Sequence, residues 1–146
     1  MPASSGPVVG LHKVQVEWGD CDPAQIVFYP NYFRWFDQAT WRLFAGVGLT
    51  RPVLNERYGI VGHPLVKADS EFLRSARPGD VLTIESRIDR WGQKSFSVHH
   101  SVRNPDGQLG AIGHETRVWA RHRSDGVEGL KAIEIPAEVI ELLGGR

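Results

Sequence analysis

The chain has a single cysteine, Cys21, so no disulfide can close within it. Its 17 Lys and Arg balance 17 Asp and Glu, and the formal net charge is zero. Without a global field of either sign, the charge balance points to neither nucleic acid nor an anionic membrane as a partner. No apolar run approaches the roughly 20 residues needed to span a bilayer. Met1–Gly10 has no basic segment leading into an apolar one, so it is not expected to be a secretory signal. With Pro2, Ser4, Ser5, Gly6, Pro7 and Gly10 it reads as a flexible tail, residues 1–10, ahead of a single domain, residues 11–146, expected in the cytoplasm. There is no Gly-x-Ser-x-Gly elbow, no glycine loop for phosphate and no basic stripe with interleaved aromatics. The 6 histidines are dispersed, and no pair has a metal-binding spacing with a third ligand, so neither metal nor cofactor is expected.

What the chain does have is concentrated. At 146 residues, with 41% apolar and 23% charged side chains, it fits one globular domain with a single core. The densest stretch, Gly19 to Asp37, reads Gly-Asp-Cys-Asp-Pro-Ala-Gln-Ile-Val-Phe-Tyr-Pro-Asn-Tyr-Phe-Arg-Trp-Phe-Asp. It sets two carboxylates and a thiol in a loop that feeds an aromatic helix. Pro30 suits the first helical position, where its missing N–H would have had no intrahelical partner. Tyr29 is then the N-cap, and the open amides of the first turn lie around Tyr29, Asn31 and Tyr32. Asp22 stands a few residues upstream of that positive helix end. A carboxylate facing a helix N-terminus across a small gap supplies what attack on a carbonyl requires: a base or nucleophile on one side and oxyanion donors on the other. The same residues have a plainer reading, in which Asp20 and Asp22 bond local backbone and the aromatics are core.

His12–Trp18 alternates, with Val14, Val16 and Trp18 on one face and Lys13, Gln15 and Glu17 on the other, which predicts a half-buried strand. A helix is predicted from about Pro30 to Val47, capped by Gly48. Tyr32, Trp35, Phe36, Ala39, Leu43 and Phe44 keep helical spacing, and Phe33, Trp41 and Val47 widen the apolar surface beyond a stripe. A helix of that kind is buried on several sides, and a sheet wrapped around it is the economical arrangement. Arg51–Tyr58 predicts a short second helix ending at Gly59. Strands are predicted over Leu65–Leu73, Val81–Trp91, Ser95–Arg103, Gln108–His122 and Lys131–Ile135, with a terminal helix over Pro136–Leu143. The fold class is α+β, with mostly antiparallel strands around one long helix.

Gly19-Asp20-Cys21-Asp22-Pro23-Ala24, Ile26-Val27, Tyr29-Pro30-Asn31-Tyr32, Arg34-Trp35 and Asp37 together resemble the signature of the 4-hydroxybenzoyl-CoA thioesterase family, a branch of the hot-dog-fold superfamily. The resemblance implies the hot-dog fold, an antiparallel sheet wrapped around one long central helix. It implies an acyl-CoA substrate, in which CoA is part of the substrate and not a cofactor. It also implies a homo-oligomer, a dimer or a dimer of dimers, with chains paired edge to edge and active sites between subunits.

Carried over by position, the resemblance makes Asp22 the catalytic carboxylate, as nucleophile or as the base that activates water. The Tyr29 amide polarises the thioester oxygen, Asp37 recognises the phenol hydroxyl of the acyl group, and Lys94 holds the nucleotide. The chain also departs from the family pattern. Gln25 stands for a glycine, Phe28 for a tryptophan and His63, before Pro64, for a threonine, so these three are expected to adjust the acyl site. Gly92 and Gln93 stand where the hydroxybenzoyl enzyme has arginines, leaving Arg90, Arg74, Arg77 or Arg103 to supply cations for the CoA phosphates. Asp20 reads as a structural loop carboxylate. Cys21 reads as a packing residue, because two flanking aspartates disfavour its thiolate.

The expected function is hydrolysis of an aromatic, hydroxylated acyl-CoA to the acid and free CoA. One alternative is a thioesterase for short or branched aliphatic acyl-CoA or for acyl carrier protein thioesters. Another is a non-catalytic acyl-CoA-binding module, which has no use for a reactive carboxylate at Asp22.

Overall fold

A computed structural model describes residues 6–145 of the chain. Met1–Ser5, within the stretch read as a tail, and Arg146 lie outside the described residues. The rest of that stretch is tied to the domain: the Val8 amide donates to the Leu143 carbonyl at 3.1 Å, and Gly10 opens the first strand.

The elements are β1 (Gly10–Gln15), α1 (Pro30–Gly46), α2 (Arg51–Tyr58), β2 (Leu65–Phe72), β3 (Val81–Trp91), β4 (Ser95–Arg103), β5 (Leu109–Val118), β6 (Ala120–His122), β7 (Leu130–Ala132) and α3 (Ala137–Leu142). The main sheet runs in the order β1-β3-β4-β5-β2, antiparallel at every step. The fold is the expected α+β arrangement, a sheet curled around one long helix. Inward positions alternate as the pleat requires: Leu82, Ile84, Ser86 and Ile88 on β3, and Phe96, Val98, His100 and Val102 on β4. Tyr32, Trp35, Phe36, Ala39, Leu43 and Phe44 of α1 are all buried against them. Gly113 on β5 is small for a reason: a Cβ there would collide with the Phe36 ring.

Three expected strands come out differently. The alternation of β1 stops at Gln15, and Trp18–Asp20 forms a 3-10 turn. The Asp20 carboxylate accepts from the Glu17 amide at 2.9 Å, and the Asp20 amide donates to the Glu17 carbonyl at 3.0 Å. That closure turns Trp18 out to 70% exposure instead of placing it with Val14 and Val16. The long Gln108–His122 strand breaks at Trp119, whose amide goes to Lys94 and whose carbonyl accepts from Ile133. Beyond it the chain leaves the main sheet, and β6 pairs with β7. The last strand ends at Ala132, short of the expected Ile135.

Among the described residues, the edge strand β2 pairs only with β5. The strand carries exposed apolar residues, Leu65 and Val66 at one end and Phe72 at the other, with Leu73 just beyond.

Candidate active site

The signature loop folds into a tight hairpin. Cys21 bridges to Val27, the Asp22 amide donates to the Ile26 carbonyl, and the Gln25 amide donates to the Asp22 carbonyl. Gln25 sits at φ 63, the left-handed region that favours glycine. The Val27 amide then docks the hairpin on the Ala76 carbonyl. Asp20 is committed elsewhere: besides capping the 3-10 turn, it accepts from Arg34 at 3.1 Å, and its carbonyl accepts from the Asn31 side chain. The turn also ends the extended run that would have aimed Asp20 and Asp22 the same way. Burial first, then Asp20 and Asp22, push the Cys21 thiol up, which opposes a nucleophilic role.

Asp22 Oδ1 accepts from the Ala24 amide at 2.8 Å, while Oδ2 has no partner among the described residues. One oxygen is thus anchored and the other is open. Tyr29 is the N-cap of α1 and Pro30 its first residue. The expected group of open amides shrinks to one. Asn31 donates to Phe28 and Tyr32 donates to Tyr29, because the chain enters the helix through tight turns. The Tyr29 amide alone of the three donates to none of the described residues. Asp22 and Tyr29 border one cavity of about 450 Å³, lined also by Ile26, Tyr32, Phe72 and Arg74 among others. That volume is in the range of small-molecule sites. Tyr32, read from sequence as core, also reaches this cavity. Burial first, then Asp80 and Cys21, push its phenol up to about 12, so it stays a donor.

Asp37 lies elsewhere, 54% exposed on α1, where it borders a groove of about 360 Å³ with Trp41, His63, Pro64, Leu65 and Arg117. It pairs with neither Arg34 nor Arg42 but with Arg117, at 2.8 Å. His63 is buried, its ring against Trp41 and Phe44 with centroids 4.1 and 4.6 Å away. Neither ring nitrogen has a hydrogen-bond partner among the described residues, and burial first, then Arg117, push the imidazole down to about 3. Phe28 is exposed beside Tyr29, ring edge to ring face at 5.6 Å. Lys94 and Arg90 are exposed near the β3–β4 turn, and Arg90 borders a groove on the outer sheet face with Asp69, Asp89 and His114. One chain therefore unites Asp22 with Tyr29, and Asp37 with His63, but does not join those two pairs or bring Lys94 to either. Of the substitute cations, Arg74 borders the Asp22 cavity, whereas Arg103 is held by Glu85 at 2.7 Å.

A buried polar chain was missed in the sequence. Ser86 Oγ lies 2.6 Å from His100 Nδ1, His100 Nε2 lies 2.9 Å from Glu115, and Thr40 and Arg117 both donate to Glu115. Its Ser-His-Glu connectivity imitates a hydrolase triad, but all three side chains are sealed in the core, with no access for a substrate. The available signal was the β5 alternation, which puts Glu115 and Arg117 on the same face as Ala111 and Gly113. Among the described residues no group of three or more His, Cys, Asp and Glu is placed to hold a metal ion.

Comparison with known proteins identifies the family. Residues 16–143 match the family model of the thioesterase-like superfamily. The chain is 47% identical, over 134 residues, to 4-hydroxybenzoyl-CoA thioesterase of Pseudomonas sp. (strain CBS-3), covering 88% of this chain and 92% of that one. A solved structure of an aspartate-to-asparagine mutant of 4-hydroxybenzoyl CoA thioesterase, complexed with 4-hydroxybenzoyl CoA, superposes with a TM-score of 0.83 at 44% identity, covering 92% of this chain and 98% of that one. A gentisyl-coenzyme A thioesterase superposes with a TM-score of 0.76 at 32% identity, covering 91% and 98%. The chain belongs to the thioesterase-like superfamily, and within it to the 4-hydroxybenzoyl-CoA thioesterase family.

Proposed function

We propose that this chain is an acyl-CoA thioesterase that hydrolyses an aromatic, hydroxylated acyl-CoA of the 4-hydroxybenzoyl type to the acid and free CoA. The observation that carries this reading is the shared cavity of Asp22 and Tyr29, with an open carboxylate oxygen on one and an open amide on the other. A thioester carbonyl is electrophilic and a thiolate leaves readily, so one carboxylate and preorganised donors suffice. The Tyr29 amide and the N-terminal end of α1 stabilise the oxyanion. Asp22 Oδ2 either attacks the carbonyl carbon or takes a proton from the attacking water. In both routes the C–S bond breaks, the thiolate departs as CoA, and water supplies the oxygen of the acid.

The acyl ring reaches Asp37 through a second copy of the chain. Leu65 borders the Asp37 groove and Phe72 the Asp22 cavity, at opposite ends of β2, about 24 Å apart along an extended strand. Antiparallel pairing of β2 with β2 of a partner sets the Leu65 end of one against the Phe72 end of the other. A site made of Asp22 and Tyr29 from one subunit and Asp37 and His63 from its partner follows. This pairing also covers the exposed apolar edge. Gln25 and Phe28 then border the acyl entrance, and Lys94, Arg90 and Arg74 serve the CoA phosphates. The test is thiol release from a panel of 4-hydroxybenzoyl, benzoyl, aminobenzoyl, phenylacetyl and aliphatic acyl-CoAs. Turnover led by the aryl thioesters supports the reading, and turnover confined to aliphatic ones overturns the substrate class.

A further inference from the structure

We infer that Arg117 is the positioning residue for acyl-group selection: from inside the core it holds Asp37 so that one carboxylate oxygen is presented to a hydrogen-bond donor on the acyl ring. The inference rests on the reading above that Asp37 meets that ring.

Arg117 is 4% exposed and its guanidinium is held from three sides. Nη2 donates to Glu115 Oε2 at 2.6 Å, Nε to Glu115 Oε1 at 3.3 Å, and Nη1 to the His63 carbonyl at 3.1 Å. Glu115 is fixed in turn by Thr40 and by His100, whose ring stacks on Phe36 with a 4.8 Å centroid separation and is bonded to Ser86. A chain of fixed groups thus runs from β3 through β4 and β5 to α1, where Asp37 and Thr40 lie three residues apart on one face. A surface aspartate without such a backing would spend its time among several rotamers. This one is tied to a rigid fork.

The way it is tied matters. Arg117 reaches Asp37 through Nη2 and Oδ1 alone, so the pair is not bidentate, and Oδ2 has no partner among the described residues. Glu115 already balances the charge of Arg117, which leaves the Asp37 carboxylate net negative at the groove. An oxygen that only accepts, held in place beside Trp41 and His63, selects for a ring substituent that donates. The acyl class implied is an aryl group carrying a hydroxyl or an amino group. A bare ring or a methoxy group leaves the acceptor unmatched.

The experiment measures kcat/KM for 4-hydroxybenzoyl-CoA and benzoyl-CoA on the same preparation, so that the ratio cancels the folded fraction. It uses Asp37→Asn, Arg117→Met, Arg117→Lys and the Asp37→Asn/Arg117→Met double variant. Glu115→Gln/Arg117→Met is added so that no buried acid is left alone. The expected result is a drop of about tenfold in the ratio for Arg117→Met, carried by KM for the hydroxylated substrate, partial recovery in Arg117→Lys, and no further drop in the double variant over Asp37→Asn. If Asp37→Asn lowers the ratio but both Arg117→Met backgrounds lower the two substrates equally, the inference is overturned and the reading of Asp37 stands. If Asp37→Asn leaves the ratio intact, both fall together.

Discussion

Glu115 and Arg117, two residues apart on β5, point the same way and meet in the core at 2.6 Å. Burial raises the Glu115 carboxyl, and the bonds from His100 and Arg117 more than reverse that, taking it from 4.5 down to about 2. The folded value lies below the unfolded one. Its contribution to stability is therefore complete above pH 4.5 and is lost progressively as pH falls through about 2. Glu115→Gln should cost about 3 kcal/mol at neutral pH and flatten the acid limb of the stability curve. Thermal melts between pH 7 and pH 2 measure both.

His63 predicts a second acid limb at higher pH. Its imidazole falls from 6.5 to about 3 on folding, so the folded chain holds it neutral while the unfolded chain protonates. Its contribution is complete above pH 6.5 and declines as pH falls toward 3, at a slope of about 1.4 kcal/mol per pH unit for one proton. Phenylalanine keeps an aromatic ring against Trp41 and Phe44 and has no nitrogens to leave unbonded. His63→Phe should raise stability by about 1 kcal/mol at pH 7, and by more at pH 5. Chemical denaturation at the two pH values decides it.

Gln25 holds a left-handed backbone in the signature loop. Gln25→Gly removes that strain without altering the Asp22–Ile26 and Cys21–Val27 pairings. The variant should melt at the same temperature or a few degrees higher, with a stability change of about 1 kcal/mol or less. Its thioesterase activity should change in acyl preference, not in dependence on Asp22. Melting curves and the acyl-CoA panel read these separately.

Much of this was legible in the chain itself. Pro30 and Gly59 punctuate α1 and α2 as their backbone chemistry requires, and the period-two runs of β3 and β4 fall on their strands residue for residue. Three things were not. Trp18 fits the alternation of β1, but a side chain-to-backbone bond from Asp20 ends the strand before it. Trp119 continues the apolar rhythm of β5, yet its backbone partners belong to two other segments. The pairing of Glu115 with Arg117 in the core went unread, because a mutual neutraliser two residues away is invisible until the strand is drawn. The site itself was half legible. The loop names Asp22 and Tyr29, but Phe72 and Arg74 join them only through the pairing of β2 with β5.

The composite site proposed above would make the β2 edge essential to activity. Val66 is 60% exposed on that strand, so Val66→Lys leaves the single chain's core untouched. A lysine on each copy opposes edge pairing. The variant should run as a smaller species in size-exclusion chromatography with light scattering, with an unchanged circular dichroism spectrum. Its thioesterase activity should fall at least tenfold.

In the proposed mechanism the open oxygen of Asp22 performs the chemistry against the Tyr29 amide. The most direct measurement is single-turnover thiol release from 4-hydroxybenzoyl-CoA by the wild type and by Asp22→Asn, with binding of the same substrate followed in parallel. Asparagine preserves shape and the bond from Ala24 but supplies neither a nucleophile nor a base. The chemical step should fall by at least a thousandfold while binding stays within a few-fold of wild type. A variant that releases thiol at the wild-type rate would contradict it.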